Sequence, residues 1–430
     1  MQHDVRKDNL PMQYRSIAGE QELAAYSEMV RLAFNASREQ ASFWHSINPF
    51  TPQNSRGLFD GDGRLLCGMF IIDEGALYFR GDSPIPTALI SAVASPPEHR
   101  RKGYIRQMFE GMFSEQRAQG VALTALYPFY FPFYLSFGYE LAHDAAHYIV
   151  KIEQFKPWRQ AAERGRFVPL DVEQIKGENA GQAGGDLEKL DSIYTAWARR
   201  NLGSVVRTRN WWLQKLAHKA QYVPAYIYYD AEGRAAGYII YHLEDKSDWQ
   251  REMEIHDMQA LDREAQEAIY GFIYNHDSQA QKVSFWAPVD AAFASQIPDP
   301  REAEVKVHPG YMLRLLEVEG AFQQRAFVPE AQGEFSFRLI DEMVPANNGA
   351  YHVHVRDGKA GVERLSNTGS ADAGVELDAR ALAQLYGGYT SPMRAAAIGQ
   401  IKVHREADLL GMQAVLYPCG QPVPYMADDF

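Results

Sequence analysis

The sequence predicts an α/β (α+β) chain of three units: two mixed-sheet units in tandem, then a smaller C-terminal α+β unit. Three observations predict it. The order helix–helix–strands–helix–strand runs from residue 12 to about 153 and returns, in outline, from Leu187 to Ala287. From about residue 305 that order gives way to successive short strands followed by a helix. Within the first unit, an apolar strand ending at Ala94 runs through a Pro-containing turn into three cations, a glycine and an amphipathic helix. At 430 residues the chain exceeds one ordinary core, and boundaries are expected at 1–153, 154–304 and 305–430.

In the first unit, Leu23, Tyr26, Met29, Val30 and Ala33 fall on one face of a helix over Glu20–Phe34. A short helix is expected over Arg38–Ser46. Strand, Asp-Gly turn and strand follow over Gly57–Asp73. Further strands are expected at Ala76–Arg80, Leu89–Ala94 and Val121–Leu126. Between the last two, a helix through Arg117 presents Ile105, Met108, Phe109, Met112 and Phe113 to the core. An aromatic block, Tyr127–Tyr139, comes next, and a strand at His147–Val150 is expected to close the unit.

A Gly-rich linker at Lys176–Asp186 leads into the second unit, with helices at Leu187–Asn201, Asn210–His218 and Arg263–Tyr274. Its strands are expected at Val223–Tyr229, Gly237–Leu243, Met253–Ala260 and Lys282–Ala287. The third unit has strands at Tyr311–Val318, Phe335–Asp341, Tyr351–Arg356 and Gly361–Arg364. Its helix over Asp378–Leu385 stops at Gly387-Gly388. A Pro-rich extended tail ends the sequence at Phe430.

The stretch Val93–Arg106 carries the chemistry. A helix start presents backbone N–H groups without partners, and its dipole favours an anion. Gly103 lets a ligand approach the backbone, and Arg100, Arg101 and Lys102 add positive charge beside it. Such a cradle suits a pyrophosphate. The equivalent stretch of the second unit, Asp257–Ala265, has no glycine and little positive charge, and reads as a degenerate copy.

Composition excludes other classes. Net charge is −12, against general nucleic-acid binding and compatible with a cationic substrate. Cys67 and Cys419 are the two cysteines, too few for a disulfide framework or zinc set, and read as free thiols in a reducing compartment. The sequence begins with the polar MQHDVRKDNL and holds no apolar run approaching the roughly 20 residues of a membrane span. A cytoplasmic protein with no membrane partner is expected. His143 and His147 sit four apart entering a strand, where they do not converge, and no contiguous metal-ligand or nucleotide-triphosphate motif occurs. No metal is expected.

On these residues the first unit resembles the GNAT (Gcn5-related) N-acetyltransferases. Their cradle motif, Gln/Arg-x-x-Gly-x-Gly/Ala, is matched by Arg100-Arg101-Lys102-Gly103-Tyr104-Ile105, with Ile105 departing at the last position. The whole chain is similar to the Eis (enhanced intracellular survival) family: two GNAT units, the second degenerate, and a sterol-carrier-protein-like C-terminal unit. Tyr134-Leu135-Ser136-Phe137-Gly138-Tyr139 and the terminal Phe430 carry that likeness. The aromatic stretch Tyr127–Pro132 is less polar than its counterpart in better-known members, so the pocket and its substrate can differ.

The resemblance implies a fold in which the strand before the cradle splays from its neighbour. Acetyl-CoA would lie in that cleft as co-substrate, its pantetheine along Val93 and Ala94. Its pyrophosphate would sit on Arg100, Arg101, Lys102, Gly103, Tyr104, Ile105 and Arg106. It also implies transfer of an acetyl group to a primary amine of a small cationic acceptor: an aminoglycoside, a polyamine or a lysine-like amine. Strand amides near Val93 can polarise the thioester carbonyl. Tyr134 is the candidate general acid, since a phenol near pKa ~10 can protonate a departing thiolate near ~8.5; the other reading is one packing aromatic among many. The Phe430 α-carboxylate is the implied base or ammonium anchor, and the other reading is a frayed terminus. Asp428 and Asp429 either attract cations or are solvated surface. Phe34 and Trp44, by family analogy, and Tyr127 are expected to face the substrate; Phe129, Phe131 and Phe133 are pocket wall or core. A homohexamer is implied as well.

Two other functions stay open. One is a non-catalytic CoA- or lipid-binding assembly protein, against which the intact first cradle argues. The other is a long-chain N-acyltransferase acting on a peptide amine.

Overall fold

The computed structural model describes residues 12–72, 74–172, 175, 185–219, 221–247, 250–366 and 373–430. Residues 176–184 of the expected linker lie outside them. β1 (Gln13–Ser16) precedes α1 (Gly19–Ala33) and α2 (Arg38–Ile47). α2 opens with a capping box, Ser37 Oγ accepting from the Gln40 N–H while Gln40 Oε1 accepts from the Ser37 N–H. β2 (Ser55–Phe59), β3 (Leu65–Ile71), β4 (Ala76–Phe79) and β5 (Ile85–Ala94) follow. The expected turn between β2 and β3 is pinned by Asp60 Oδ1, which accepts from the Asp62 and Arg64 N–H groups. α3 (Tyr104–Ala118) buries Met108, Phe109, Met112 and Phe113 on the expected face, and Ile105 is partly buried beside them. β6 (Leu123–Leu126), α4 (Phe131–Leu135), β7 (Glu140–Leu141) and β8 (Asp144–Lys151) come next.

The chain then passes through β9 (Arg166–Pro169), a helix at Asp186–Ala198, β10 (Leu202–Val205) and a helix at Arg209–Lys215. The small pair β11 (Ala217–His218) and β12 (Gln221–Tyr222) leads to β13 (Ala225–Tyr229), β14 (Ala235–Ser247) and β15 (Gln250–Ala260). A helix at Arg263–Tyr274, β16 (Lys282–Pro288) and β17 (Ala303–Pro309) follow.

Two strands pair elsewhere than the sequence suggested. β8, expected to close the first unit, lies between β16 and β17, with Val150 opposite Val283 on one side and Ala303 on the other. β18 (Met312–Leu315), expected in the third unit, lies between β6 and β7, with Met312 opposite Leu126 and Leu141. The first sheet runs β1-β2-β3-β5-β6-β18-β7, with β4 and β10 attached beside β5; the second runs β17-β8-β16-β15-β14-β13-β9. The reason is burial. All four residues of β6 and of β18 are buried, so neither can leave a backbone edge unpaired, and each supplies the other's hydrogen bonds. Local alternation of apolar residues does not encode which sheet a strand joins.

The third sheet runs β21-β20-β19-β22-β23, built from β19 (Gly333–Ile340), β20 (Gly349–Arg356), β21 (Lys359–Leu365), β22 (Val375–Asp378) and β23 (Lys402–Val403). Its expected helix covers Ala379–Gly387, with the Asp378 carboxylate accepting from the Ala381 N–H and Gly388 closing it at φ +78°. Phe337, Tyr386 and Met412 of this unit share one core with Phe79, Leu89, Leu123 and Leu313 of the first sheet. The third unit is therefore welded onto the first. Cys67 is buried, Cys419 exposed, and both are free thiols. No helix among the described residues is long and apolar enough to cross a membrane.

Candidate active site

β5 and β6 pair in parallel only from Thr87 opposite Leu123 to Ile90 opposite Leu126. Beyond that point they part. β5 continues through Ser91–Ala94 while the chain leaves β6 at Tyr127. On its other edge β5 stays on β3, but the register jumps: Phe70 faces Ser91 and Gly68 faces Ala94. Ala92 and Val93 form a bulge, with Ala92 at φ +48°. A non-glycine residue persists there because the Ala92 carbonyl accepts the buried Tyr26 O–H at 2.8 Å. The fork leaves the Val93–Ala94 backbone without a strand on the β6 side among the described residues, open to an extended ligand.

The cradle follows directly. Pro97–His99 is one 3-10 turn, Arg101 has φ +61°, and Gly103, at φ +80°, is the N-cap of α3. No side chain caps α3 and its first turn holds no acid. A Cβ on Gly103 would meet nothing within 4 Å, so it is the left-handed backbone that requires glycine, and the space above it is open. Arg100, Arg101, Lys102 and Arg106 are exposed. Arg100 Nε donates to the Ser95 carbonyl at 3.2 Å, which orients it. Arg106 pairs with Glu110 at 3.3 Å, whereas Arg101 and Lys102 have no ion pair among the described residues. The degenerate copy differs in one telling way: the helix at Arg263–Tyr274 is capped by the Asp262 carboxylate, 2.9 Å from the Ala265 nitrogen. An anion site needs free amides, and there a side chain occupies them.

The aromatic block folds into α4, a helix the sequence reading missed because Pro132 sits within it; Pro is tolerated in the first turn. Tyr134 is buried, edge-on to Phe109 at 6.2 Å and to Phe133 at 5.1 Å. It joins the cluster that holds Ile90, Leu126 and Met108, with Val93, Tyr104 and Ile105 packed against it. Tyr134 thus sits in the core that α3 shares with β5 and β6. Burial pushes its phenol well above the ordinary value, so it stays a neutral O–H donor. Phe129 is exposed while Phe131 and Phe133 are half-buried, so the block is part surface and part core.

The tail is anchored, not frayed. The Tyr425 N–H donates to the Leu202 carbonyl, and Ser204 Oγ to the Tyr425 carbonyl. Asp428, read as a solvated charge or a lure for cations, is neither: it is buried against Arg207 Nη2 at 2.9 Å, with Trp211 Nε1 donating at 3.1 Å and Lys215 Nζ at 3.5 Å. Burial raises its carboxyl, but Arg207 and Lys215 outweigh that and hold it below the usual range. Arg207 also reaches Asp257 Oδ2 at 2.6 Å and lies over the Tyr194 ring at 3.8 Å. The tail so fixed sets the Phe430 ring edge-on to Tyr127 at 5.6 Å, beside Trp211 at 5.9 Å. Asp429 is exposed. Burial and Asp429 push the Tyr127 phenol far above its ordinary value.

The expected substrate residues fall into two cavities rather than one. Phe34 and Trp44 line a cavity of about 530 Å³ with Ser91 and Ala92 of β5. Tyr127 lines one of about 490 Å³ with Trp211, Glu254, Tyr425 and Asp429. Ser91 and Tyr127 are the first residues past the fork on their strands, and adjacent Lys219 and His218 line one cavity each. Sequence reasoning missed Arg207, Trp211 and Lys215, and read Tyr26 only as a core-facing residue. Their roles are long-range contacts, of which neither a loop arginine nor a helical tryptophan or lysine carries a local sign.

Comparisons with known proteins place the chain among related domains. Residues 13–142 and 203–315 each match an acetyltransferase (GNAT) domain family, and residues 318–425 match a sterol carrier protein domain. The N-acetyltransferase Eis of Mycobacterium tuberculosis is 25% identical over 391 residues, 90% of this chain and 91% of that protein. An uncharacterized N-acetyltransferase of Streptomyces avermitilis is 25% identical over 386 residues, 86% and 87% of the two chains. A GCN5-related N-acetyltransferase from Anabaena variabilis superposes with TM-score 0.84 at 21% identity, over 98% of this chain and 100% of that one. Eis1 from Mycobacterium abscessus gives 0.74 at 21% identity, with the same coverage.

Proposed function

Because the chain belongs to the GNAT N-acetyltransferases, with the Eis-like order of two such domains and a sterol carrier protein domain, we propose that it moves an acetyl group from acetyl-CoA to a primary amine of a small cationic acceptor. The observation that carries this reading is the open fork between β5 and β6 leading onto the uncapped start of α3. Free amides, the left-handed Gly103 and the unpaired Arg101 and Lys102 suit a pyrophosphate, while the unpaired Val93–Ala94 backbone suits the pantetheine arm.

The Val93 and Ala94 amides polarise the thioester oxygen as the amine nitrogen attacks the carbonyl carbon. The tetrahedral centre collapses, the C–S bond breaks, and the amine gives up its proton. Tyr134 donates its O–H to the leaving sulfur. Its raised pKa makes it a reluctant acid alone, so the proton it gives is replaced by the one the amine loses, and the two transfers run together. The α-carboxylate of Phe430, whose ring packs edge-on to Tyr127, holds the cationic acceptor and passes its proton to water, since a carboxylate near pKa ~3.5 is a weak base toward an ammonium. Asp429 and Glu254, on one cavity, favour a cationic acceptor there, and Tyr127 and Trp211 give that cavity aromatic walls, while Phe34 and Trp44 wall the second cavity beside β5. The reading includes a homo-oligomer of six copies, which light scattering tests.

The test is calorimetry with acetyl-CoA, with Arg101→Ala/Gly103→Glu as the control, followed by thiol release over a panel of polyamines and aminoglycosides. Binding that the control abolishes, with turnover of at least one amine, supports the reading. Absence of acetyl-CoA binding, or stronger binding of a long-chain acyl-CoA with no turnover of small amines, overturns it.

A further inference from the structure

Three histidines far apart in sequence meet on the second sheet. His218 ends β11, His242 lies on β14 and His256 on β15. One nitrogen from each lies within 4.8 Å of the others, the sole such group of metal-ligating side chains among the described residues. His242 faces Glu254 across the β14–β15 ladder, and the register jumps between Ile240 opposite Asp257 and Tyr241 opposite Ile255. His256 is the extra residue of that bulge, a device that re-aims a side chain. The His218 and His242 rings stack at 4.0 Å, and His256 stands at 4.8 Å from His242, nearly perpendicular at 77°.

Hydrogen bonding accounts for only part of this. His242 Nε2 donates to Glu244 Oε2 at 3.2 Å, which makes its Nδ1 an acceptor, 2.7 Å from His256 Nε2. Glu244 is itself fixed by Lys219 Nζ at 2.8 Å. A carboxylate on the far nitrogen of an imidazole is the support that metal-ligating histidines have. His218 Nε2 is sealed from solvent with no hydrogen-bond partner. An unsatisfied buried acceptor or donor is destabilising, and a cation shared by the three nitrogens would satisfy it.

We propose that His218, His242 and His256 form a binding site for a borderline-soft divalent cation of the Zn²⁺ type, with Glu244 orienting His242. Three imidazoles select that class over hard cations such as Mg²⁺ or Ca²⁺. Tetrahedral Zn²⁺ needs ligand nitrogens about 3.3 Å apart, from Zn–N distances of about 2.0–2.1 Å, so side-chain rotations from the present spacing suffice. The fourth coordination position faces the 490 Å³ cavity, whose wall includes His218, His256 and Glu254. Glu254 Oε2 is 3.8 Å from His242 Nε2, on the same nitrogen as Glu244 and away from the proposed ligand atom. The site has no contiguous motif because its ligands are spread over β11, β14 and β15.

The test is Zn²⁺ titration of chelator-treated full-length protein, with the Co²⁺ visible spectrum as a second readout. The expected result is one Zn²⁺ per chain and the intense bands of tetrahedral Co²⁺. His218→Gln and His256→Gln should abolish both, and Glu244→Gln should weaken binding by about 10–100-fold. Glu244 is partly exposed, so that variant tests the site even if a histidine variant fails to fold. Equal Zn²⁺ binding by wild type and all three variants, or no stoichiometric binding and an octahedral Co²⁺ spectrum, overturns the proposal.

Discussion

Asp428→Ala tests whether the tail is held by one buried ion pair. In the closed tail, Asp428 Oδ1 and Oδ2 take Arg207 Nε at 3.1 and 3.0 Å, and Trp211, Lys215 and Tyr194 converge on the same carboxylate. Breaking a buried pair by deleting one partner costs about 3–5 kcal/mol, because the other charge stays buried. Arg207 keeps Asp257 at 2.6 Å, so the lower end applies, about 3 kcal/mol. That raises the open-to-closed ratio of the tail by roughly 150-fold, at 1.4 kcal/mol per decade. Upstream, Tyr425 still bonds Leu202 and Ser204, so opening is confined to the residues after it. Hydrogen exchange reads this directly: the amides of Met426–Phe430 should exchange about 100-fold faster while those of α3 keep their protection. Turnover should fall with acetyl-CoA affinity unchanged. Unaltered exchange at Met426–Phe430 would refute the assignment of Asp428 as the anchor.

Three further outcomes are expected. Tyr134→Phe should lower kcat by about 100-fold or more and leave the Kd for acetyl-CoA, measured by calorimetry, within about twofold; retained turnover removes the general-acid role. Two residues added after Phe430 should suppress turnover without lowering Tm, and a fully active extended protein removes the carboxylate from the mechanism. Because the Asp428 carboxyl sits below its unfolded value of about 3.9, its contribution is complete above that value and lost as pH falls through the folded one. Tail protection, followed as the difference in tryptophan fluorescence between wild type and Asp428→Ala, should be level from about pH 5 to 8 and vanish only below about 4; loss near neutrality contradicts the buried pair.

What was legible in the sequence was local. The cradle could be read because its parts, Arg100 to Gly103 and the apolar face of α3, are contiguous; the backbone there is left-handed at Arg101 and Gly103 and opens the uncapped start of α3. The two-unit repeat was legible for the same reason. Pairing partners were not. β8 and β18 look like any buried strand, and only the whole fold decides which edge needs them. The anchoring of Asp428 was hidden because a carboxylate next to an exposed Asp429 reads as surface until Arg207, 221 residues away, is placed beside it. Phe34 and Trp44 line a cavity with Ser91 and Ala92 of β5, while Tyr127 lines a second cavity, a division that no local pattern carries.

The exchange of β8 for β18 also sets a timetable for biosynthesis. β7 has no partner in its sheet other than β18 among the described residues, and β6 has an open edge until β18 arrives. A ribosome releases β18 about 170 residues after β7, which at about 5–20 residues per second is roughly 9–34 s later. During that interval the nascent first unit offers an unfinished edge to any passing strand, the circumstance in which holding chaperones matter most. It also ties the first two units together: β8 lies in the second sheet and β18 in the first, so neither sheet is complete without strands from both sides of the second unit.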